Sequence, residues 1–255
     1  MASAKHRFVD RVVLVTGAAS GIGHATALRL VAEGARVVAT DVAGRGLAGL
    51  AKEAGLAVVT MVHDVTREDE WHGAVALAEQ RFGGLNALVN AAGVLAHDTI
   101  EDATLAGWRR MMDVNLYGTF LGCRVAMPAM ARGGGAIVNI SSIAGLVGTP
   151  ELMSYGASKG AVRSLTKAIA LEGARRTPQV RCNSVHPGVI ETPMVRNYFA
   201  ERDDPEKVER AWRKGQPTGE FGKPEDVAAM IAFLVSDDSA LVTGAEYVVD
   251  GAATA

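Results

Sequence analysis

Cysteine is nearly missing: only Cys123 and Cys182 occur in 255 residues, and neither lies in a CxxC. Two are too few for a disulfide framework and their spacing makes no redox dithiol, so a reducing compartment is expected. No run approaches the roughly 18 apolar residues that a bilayer-crossing helix needs, which excludes such a span. Residues 1–10 carry Lys5, His6 and Arg7 without an apolar stretch behind them, so no signal peptide is read there and a cytoplasmic protein is expected. Charge of one sign is lacking too: 26 basic and 28 acidic residues leave a net charge of −2 at pH 7. Without a global positive field, neither nucleic acid nor membrane is expected as a partner. The six histidines (His6, His24, His63, His72, His97, His186) never fall at HxxxH spacing or beside a cysteine pair, so no metal site is expected.

What is present is 49% hydrophobic and 21% charged residues, a balance that suits a globular core. Short β-branched runs alternate with longer helical patterns, the pattern of a parallel sheet covered on both faces. The run 11–16 (RVVLVT) is apolar without alternation, as expected of a strand buried on both sides. Further strands are predicted at 36–40, 56–62, Ala87–Asn90, 136–140, 180–185 and Glu246–Val249. Helices are predicted at 21–34, where Gly34 suits a C-terminal cap, and at about 66–82, 102–131, 151–175 and 224–236. The expected fold is α/β: one doubly wound Rossmann domain over 1–255, with a seven-stranded parallel sheet and helices on both faces. Pro193, Pro205 and Pro217 interrupt the stretch at about 191–220, which reads as a lid over a ligand cleft or as an insertion packed on the core.

After the first strand comes Thr16-Gly17-Ala18-Ala19-Ser20-Gly21-Ile22-Gly23, opening a helix. Glycines let the backbone turn sharply and let a pyrophosphate approach, while free amides at a helix start attract negative charge. The spacing is TGxxxGxG, and it resembles the hallmark TGxxxGIG of the short-chain dehydrogenase/reductase (SDR) family; the resemblance recurs along nearly the whole chain. It implies a nicotinamide cofactor on Gly17, Ser20, Gly21, Ile22 and Gly23. Asp41 follows the second strand, where a carboxylate accepts from the ribose hydroxyls of adenosine and repels a 2′-phosphate. Ser20 stands where NADP-preferring relatives often carry a basic residue, so NAD is expected over NADP, with Arg45 the one dissenting charge. The resemblance places Asp64 and Val65 at the adenine, with Asn90-Ala91-Ala92-Gly93 matching the NAAG motif. There Asn90 ties neighbouring strands together while Ala91 and Gly93 leave room for the cofactor.

Tyr155-Gly-Ala-Ser-Lys159 is the second hallmark, and it follows Ser142 of IVNISS by thirteen residues, with Asn115 twenty-seven residues further back. Hydride leaves an alcohol carbon only as the hydroxyl proton is removed, so a base must sit against that oxygen. A phenol of ordinary pKa about 10 is too weak a base near neutrality. Residues i and i+4 share a helix face, so the Lys159 ammonium is expected close to the phenol, lowering its pKa. Tyr155 is thus the predicted acid/base, and Lys159 tunes it while holding the nicotinamide ribose. Ser142 is predicted to bond the reacting oxygen. By resemblance Asn115 kinks its helix and orders a water leading from Lys159. The resemblance also sets Pro187-Gly188 beside the nicotinamide, with Val189, Ile190 and Thr192 continuing toward the carboxamide and pyrophosphate.

The substrate cleft is expected to be lined by Val94, Leu95, Ser142, Ala144, Leu152, Tyr155, Met194, Val195, Tyr198 and Phe199. That apolar set suits a hydrophobic secondary alcohol or ketone, of alicyclic, aryl or steroidal type. Two rival readings remain: reduction of a 3-oxoacyl thioester on acyl carrier protein, docked by Arg132, Arg175 and Arg176, and a non-catalytic NAD-binding scaffold or redox sensor. Ala161, Val162, Leu165 and Ile169 leave apolar surface on several helix faces, and by resemblance a homotetramer is expected.

Overall fold

A computed structural model describes residues 6–255; Lys5 lies outside them. Its frame is one sheet of seven parallel strands: β1 (Val12–Thr16), β2 (Arg36–Asp41), β3 (Val58–Val62), β4 (Ala87–Asn90), β5 (Gly135–Ile140), β6 (Val180–Pro187) and β7 (Glu246–Val249). The spatial order is β3-β2-β1-β4-β5-β6-β7. Winding therefore reverses between β1 and β4, and ligands of open α/β sheets bind at the carboxyl ends of strands at such a switch.

Every residue of β1 is buried, as its unbroken apolar run requires. Successive side chains go to opposite faces. Val13 and Val15 join one core with Leu30 of helix α1 (Gly21–Ala32) and Ile231 of helix α9 (Pro224–Val235). Val12 and Leu14 join the other, with Trp71 of α3 (Glu68–Phe82) and Leu121 of α5 (Gly118–Ala129). The sheet is thus covered on both sides.

The elements depart from the sequence expectations in four places. The third strand starts at Val58 because Gly55–Ala57 form a 3₁₀ turn with Leu56 fully exposed. Helix α2 (Gly44–Ala54) was not expected, since three glycines weaken its helical signal. Leu47 and Leu50, three apart, bury its inner face, and burial outweighs propensity. Gly46 is needed there, because a Cβ would stand 2.7 Å from Ala19 in the loop after β1. The long helix expected at 102–131 is broken into α4 (Leu105–Met112), a π-helical turn at Asp113–Tyr117, and α5.

The fourth departure is the stretch at 191–220, which holds two short helices, α7 (Pro193–Ala200) and α8 (Pro205–Lys214). Each begins with proline, whose missing amide costs nothing in a first turn. Thr192 and Asp204 cap them through side-chain oxygens accepting from the amides of Val195 and Lys207. Their apolar sides meet in a cluster where Trp212 lies 5.2 Å from Tyr198 and 5.4 Å from Phe199, ring centre to ring centre.

Helix α6 (Met153–Ala174) lies closely on β6: a Cβ on Gly173 would collide with the Val180 carbonyl oxygen. Gly173→Ala must separate helix from strand, at an expected cost of about 3 kcal/mol. Thermal melts should show Tm lower by about 6–12 °C; an unchanged Tm would contradict this packing.

Candidate active site

The loop after β1 turns through two left-handed glycines, Gly17 (φ 65°) and Gly21 (φ 54°). A side chain on Gly17 would also strike the Ala92 amide nitrogen at 2.8 Å, and one on Gly23 would collide with the Gly17 carbonyl. Thr16 Oγ1 accepts from the amides of Ala91 and Ala92, both at 3.1 Å, and so locks the end of β1 to the end of β4. Helix α1 starts beyond Ser20 with no acidic residue in its first turn and no side-chain cap. Its positive end is therefore left for an external anion.

These residues border a cleft of about 1210 Å³, lined among others by Gly17, Ser20, Gly21, Ile22, Gly23, Asp41, Asp64, Val65, Ala91, Gly93 and Thr192. Asp41 is held in place, accepting from the Ala19 amide (3.1 Å) and the Ala43 amide (2.8 Å). One carboxylate thus ties the glycine loop to the end of β2. Asp64 Oδ1 accepts from both the amide (2.9 Å) and hydroxyl (2.8 Å) of Thr66. Those bonds, the amide's foremost, hold its carboxyl below the usual value against the opposing effect of burial. Val65 packs so tightly on Gly118 that a Cβ there would lie 2.7 Å from it.

Of the residues expected at the cofactor, Tyr155 and Lys159, which lie behind this cleft, and Asn90, Pro187, Gly188 and Ile190 do not line it. Asn90 faces away, donating to Asn139 Oδ1 at 2.8 Å, while Asn139 donates to Thr166 Oγ1 at 2.9 Å. It joins β4, β5 and α6 through buried amides. Pro187 ends β6, and Gly188 is small for the sake of the chain's tail, since a Cβ would meet Asp250 at 2.9 Å. Ile190 belongs to the buried core and bridges to Gly222. Conversely, Val42, His63, Thr66, Arg109, Arg110, Asn197 and Glu201 line the cleft and were not singled out in the sequence. His63 could have been found from its place beside Asp64; the α4 and α7 residues carried no signal, because they are about ninety positions apart in the chain and only the fold brings them to one cleft.

The chemical centre lies where α6 meets the end of β5. Lys159 is only 4% exposed and donates to the Ile140 carbonyl at 2.8 Å. Burial lowers its pKa to about 8. Its Nζ stands 5.7 Å from the centre of the Tyr155 ring. The lowering of the phenol expected from Lys159 is not what this arrangement gives. Burial, the larger effect, pushes the Tyr155 phenol above its ordinary value, and a hydrogen bond with Ser142 opposes it. Both groups thus lean toward their neutral forms.

Ser142 caps a 3₁₀ turn, its Oγ accepting from the Ala144 amide at 3.1 Å. Ser141 donates to the Lys159 carbonyl at 2.9 Å, a second tie between β5 and α6. His186, fully buried, reaches the Ser142 carbonyl at 3.3 Å and Ser184 Oγ at 2.8 Å. Asn115 sits in the π-helical turn, a break often found at functional sites. Its amide grips Val94 both ways, accepting from the backbone N–H (2.8 Å) and donating to the C=O (3.0 Å), and also donates to Ser158 Oγ at 3.1 Å.

On the substrate side Val94, Leu95, Met194 and Tyr198 line the cleft. Leu152, Tyr198, Phe199 and Phe221 form a buried cluster against which Leu95, Tyr155 and Val195 pack. Ala144 is half-buried and outside the cleft lining.

Comparison with known proteins agrees with this geometry. A family model described as enoyl-(acyl carrier protein) reductase matches residues 17–254. The chain is 43% identical to a cyclohexanol dehydrogenase of Acinetobacter sp. (strain SE19), covering 98% of this chain and 97% of that protein. It is 42% identical to a 3-alpha-(or 20-beta)-hydroxysteroid dehydrogenase of Mycobacterium tuberculosis, over 98% of this chain and 91% of the other. The chain belongs to the short-chain dehydrogenase/reductase family. A third relative, an NADP-dependent (R)-specific alcohol dehydrogenase of Lentilactobacillus kefiri, is 41% identical over 98% of each chain. Members of the family bind a nicotinamide cofactor, and the glycine loop, the open end of α1 and the anchored Asp41 of this SDR chain fit one. Among the described residues, no helix is long and apolar enough to cross a membrane.

The buried Lys159 has a measurable signature. Its native pKa of about 8 lies below the 10.5 of an exposed lysine. Between those values the unfolded chain binds a proton that the native chain lacks, so stability rises with pH. The penalty is full below pH 8 and gone above 10.5. Denaturant unfolding of the native chain and of Lys159→Met should therefore converge in the native chain's favour by about 3 kcal/mol from pH 7.5 to 10.5. A difference that stays flat with pH would show that the lysine keeps its proton.

Proposed function

We propose that this protein moves a hydride between NAD and a hydrophobic secondary alcohol or ketone of alicyclic, aryl or steroidal type. The observation that carries the reading is the meeting of Tyr155, Lys159, Ser142 and Asn115 behind a cleft that begins at the glycine loop. In this reading the amides at Gly17 and Gly21–Gly23 hold the pyrophosphate, Asp41 the adenosine ribose, and Tyr155 with Lys159 the nicotinamide ribose. NAD, when bound, supplies the carbon that accepts or gives the hydride.

Tyr155 Oη gives its proton to the carbonyl oxygen during reduction; in oxidation it must first lose that proton, and as the phenolate it takes the proton of the alcohol. Ser142 donates to that same oxygen and holds it in place. A phenol raised by burial keeps its proton at neutral pH, which favours it as the acid of ketone reduction. Lys159, its Nζ 5.7 Å from the centre of the Tyr155 ring, is the positive charge nearest the phenol when protonated. Asn115 fixes the Val94 loop that forms the apolar wall.

The preference for NAD over NADP rests on Asp41, whose carboxylate is anchored by two backbone amides and would stand against a 2′-phosphate. The apolar substrate class is supported by Val94, Leu95, Met194 and Tyr198, and by relatives named for cyclohexanol and hydroxysteroids. Reduction of a carrier-bound thioester is disfavoured because Arg175 and Arg176 follow the end of α6, about 30 Å along the helix from Tyr155. Residues 1–255 are read as one domain, with α7 and α8 as its lid. Two free, buried cysteines support a reducing, cytoplasmic setting. A homotetramer is supported by apolar side chains left exposed on α5 and α6, among them Phe120, stacked on Tyr117, and Leu171. A light-scattering mass of one chain would overturn the tetramer.

Absorbance at 340 nm with NAD and cyclohexanols or hydroxysteroids tests the chemistry. Tyr155→Phe should lower kcat at least about a thousandfold while NADH Kd stays within about twofold. Near-native turnover in that variant would end the acid/base assignment. By fluorescence, NADH should bind at least about tenfold tighter than NADPH, and the reverse order would end the NAD preference.

A further inference from the structure

Helix α6 carries Tyr155 and Lys159, yet its own N-terminus brings no cap. The preceding residue is Leu152, whose side chain makes no capping hydrogen bond. The first amides of a helix have no partner within it and must find acceptors elsewhere. A serine or aspartate at 152 would be the usual solution. Here that position is taken by the apolar wall, for Leu152 is buried in the cluster with Tyr198, Phe199 and Phe221.

The acceptor comes instead from 56 positions earlier in the chain: Asp98 Oδ1 takes the Ser154 amide at 3.1 Å. The Asp98 carbonyl also accepts from the Met153 amide at 3.3 Å, and the Asp98 amide donates to the Glu151 carbonyl at 3.1 Å. A parallel bridge pairs Asp98 with Leu152. Asp98 is only 8% exposed, a costly place for a carboxylate unless its bonds are needed. It stands four residues beyond Val94, which Asn115 grips through both backbone groups. The loop after β4 is therefore fastened at one point to the π-helical turn and at the other to the first turn of α6.

We propose that Asp98 is a positioning residue for the reaction: its carboxylate caps α6 from the neighbouring loop and so sets where the Tyr155 phenol stands relative to Ser142. The inference rests on the reading of Tyr155 as the acid/base. Asp98 acts through the helix start, bonded one residue before Tyr155, and does not line the cleft.

Steady-state kinetics of three variants test it, each corrected for the folded fraction by circular dichroism. Asp98→Ala removes the acceptor and should lower kcat about ten- to a hundredfold, with NADH Kd within about twofold. Asp98→Asn keeps an oxygen at the same reach and should restore kcat to within about threefold of the native chain. Asp98→Glu keeps the charge but pushes the oxygens one methylene outward, so it should lose about three- to tenfold. Should Asp98→Ala not fold, Asp98→Glu decides: unchanged kcat overturns the proposal. So does Asp98→Ala turnover within about twofold of native, whatever its Tm, or an Asp98→Asn as damaged as Asp98→Ala. Tyr155→Phe run alongside separates the two claims. If it stays active, the acid/base reading falls and Asp98 with it. If it is inactive while Asp98→Ala turns over normally, only the role of Asp98 falls.

Discussion

The ammonium of Lys159, buried beneath the end of β5 and bonded to the Ile140 carbonyl, is the contact around which this molecule is arranged. A lysine out of water is costly, and that cost is visible in a pKa near 8. Holding it there requires α6 to lie almost on the turn after β5. The approach is close enough that a Cβ on Gly145 would stand 2.7 Å from the Lys159 backbone. Ser141, bonded to the Lys159 carbonyl, fastens the same junction from the strand side. Once helix and strand are pinned, Tyr155 four residues earlier on the helix and Ser142 just past the strand have little choice of position.

The cleft depends on a second constraint, the reversal of winding between β1 and β4. Thr16 spans it, one hydroxyl oxygen accepting from two amides of the opposite strand end. The glycines keep the loop thin enough to pass beneath α1, while Asp41 draws that loop toward β2. Each of these is a short-range device. Together they leave the amino end of α1 without acidic neighbours beside a large cleft, which is the electrostatic setting that an anionic cofactor needs.

Much of this was legible in the sequence, and for identifiable reasons. A strand buried on both faces, such as β1, announces itself as an unbroken apolar run, and all seven strands were located, most to within a residue. TGxxxGIG and the Tyr155–Lys159 pair are local motifs whose spacing survives in three dimensions. Helix α2 was missed because Gly44, Gly46 and Gly49 hide its pattern, although Gly46 is what allows the helix to approach Ala19. Asn90 was read as a tie between neighbouring strands, and its amide joins β4 to β5; Gly188 was read toward the cofactor, and its missing side chain also makes room for the chain's tail at Asp250. In a dense fold, a small or amide side chain near a site answers to its neighbours on every side. A linear motif cannot say which neighbour comes first.

The sequence by itself determined the seven strands in chain order, the glycine loop, and the residue types for proton transfer, because each depends on neighbours within a few positions along the chain. Only the tertiary structure decided the sign of the Tyr155 pKa shift. Sequence supplied the ammonium that should lower it, but not the depth of burial that raises it. Likewise only the folded chain brought Asp98 to the uncapped start of α6, and Arg109 and Glu201 to the walls of one cleft. Burial and long-range contact are properties of packing, and packing is set by the whole sheet and its helices, not by any segment of them.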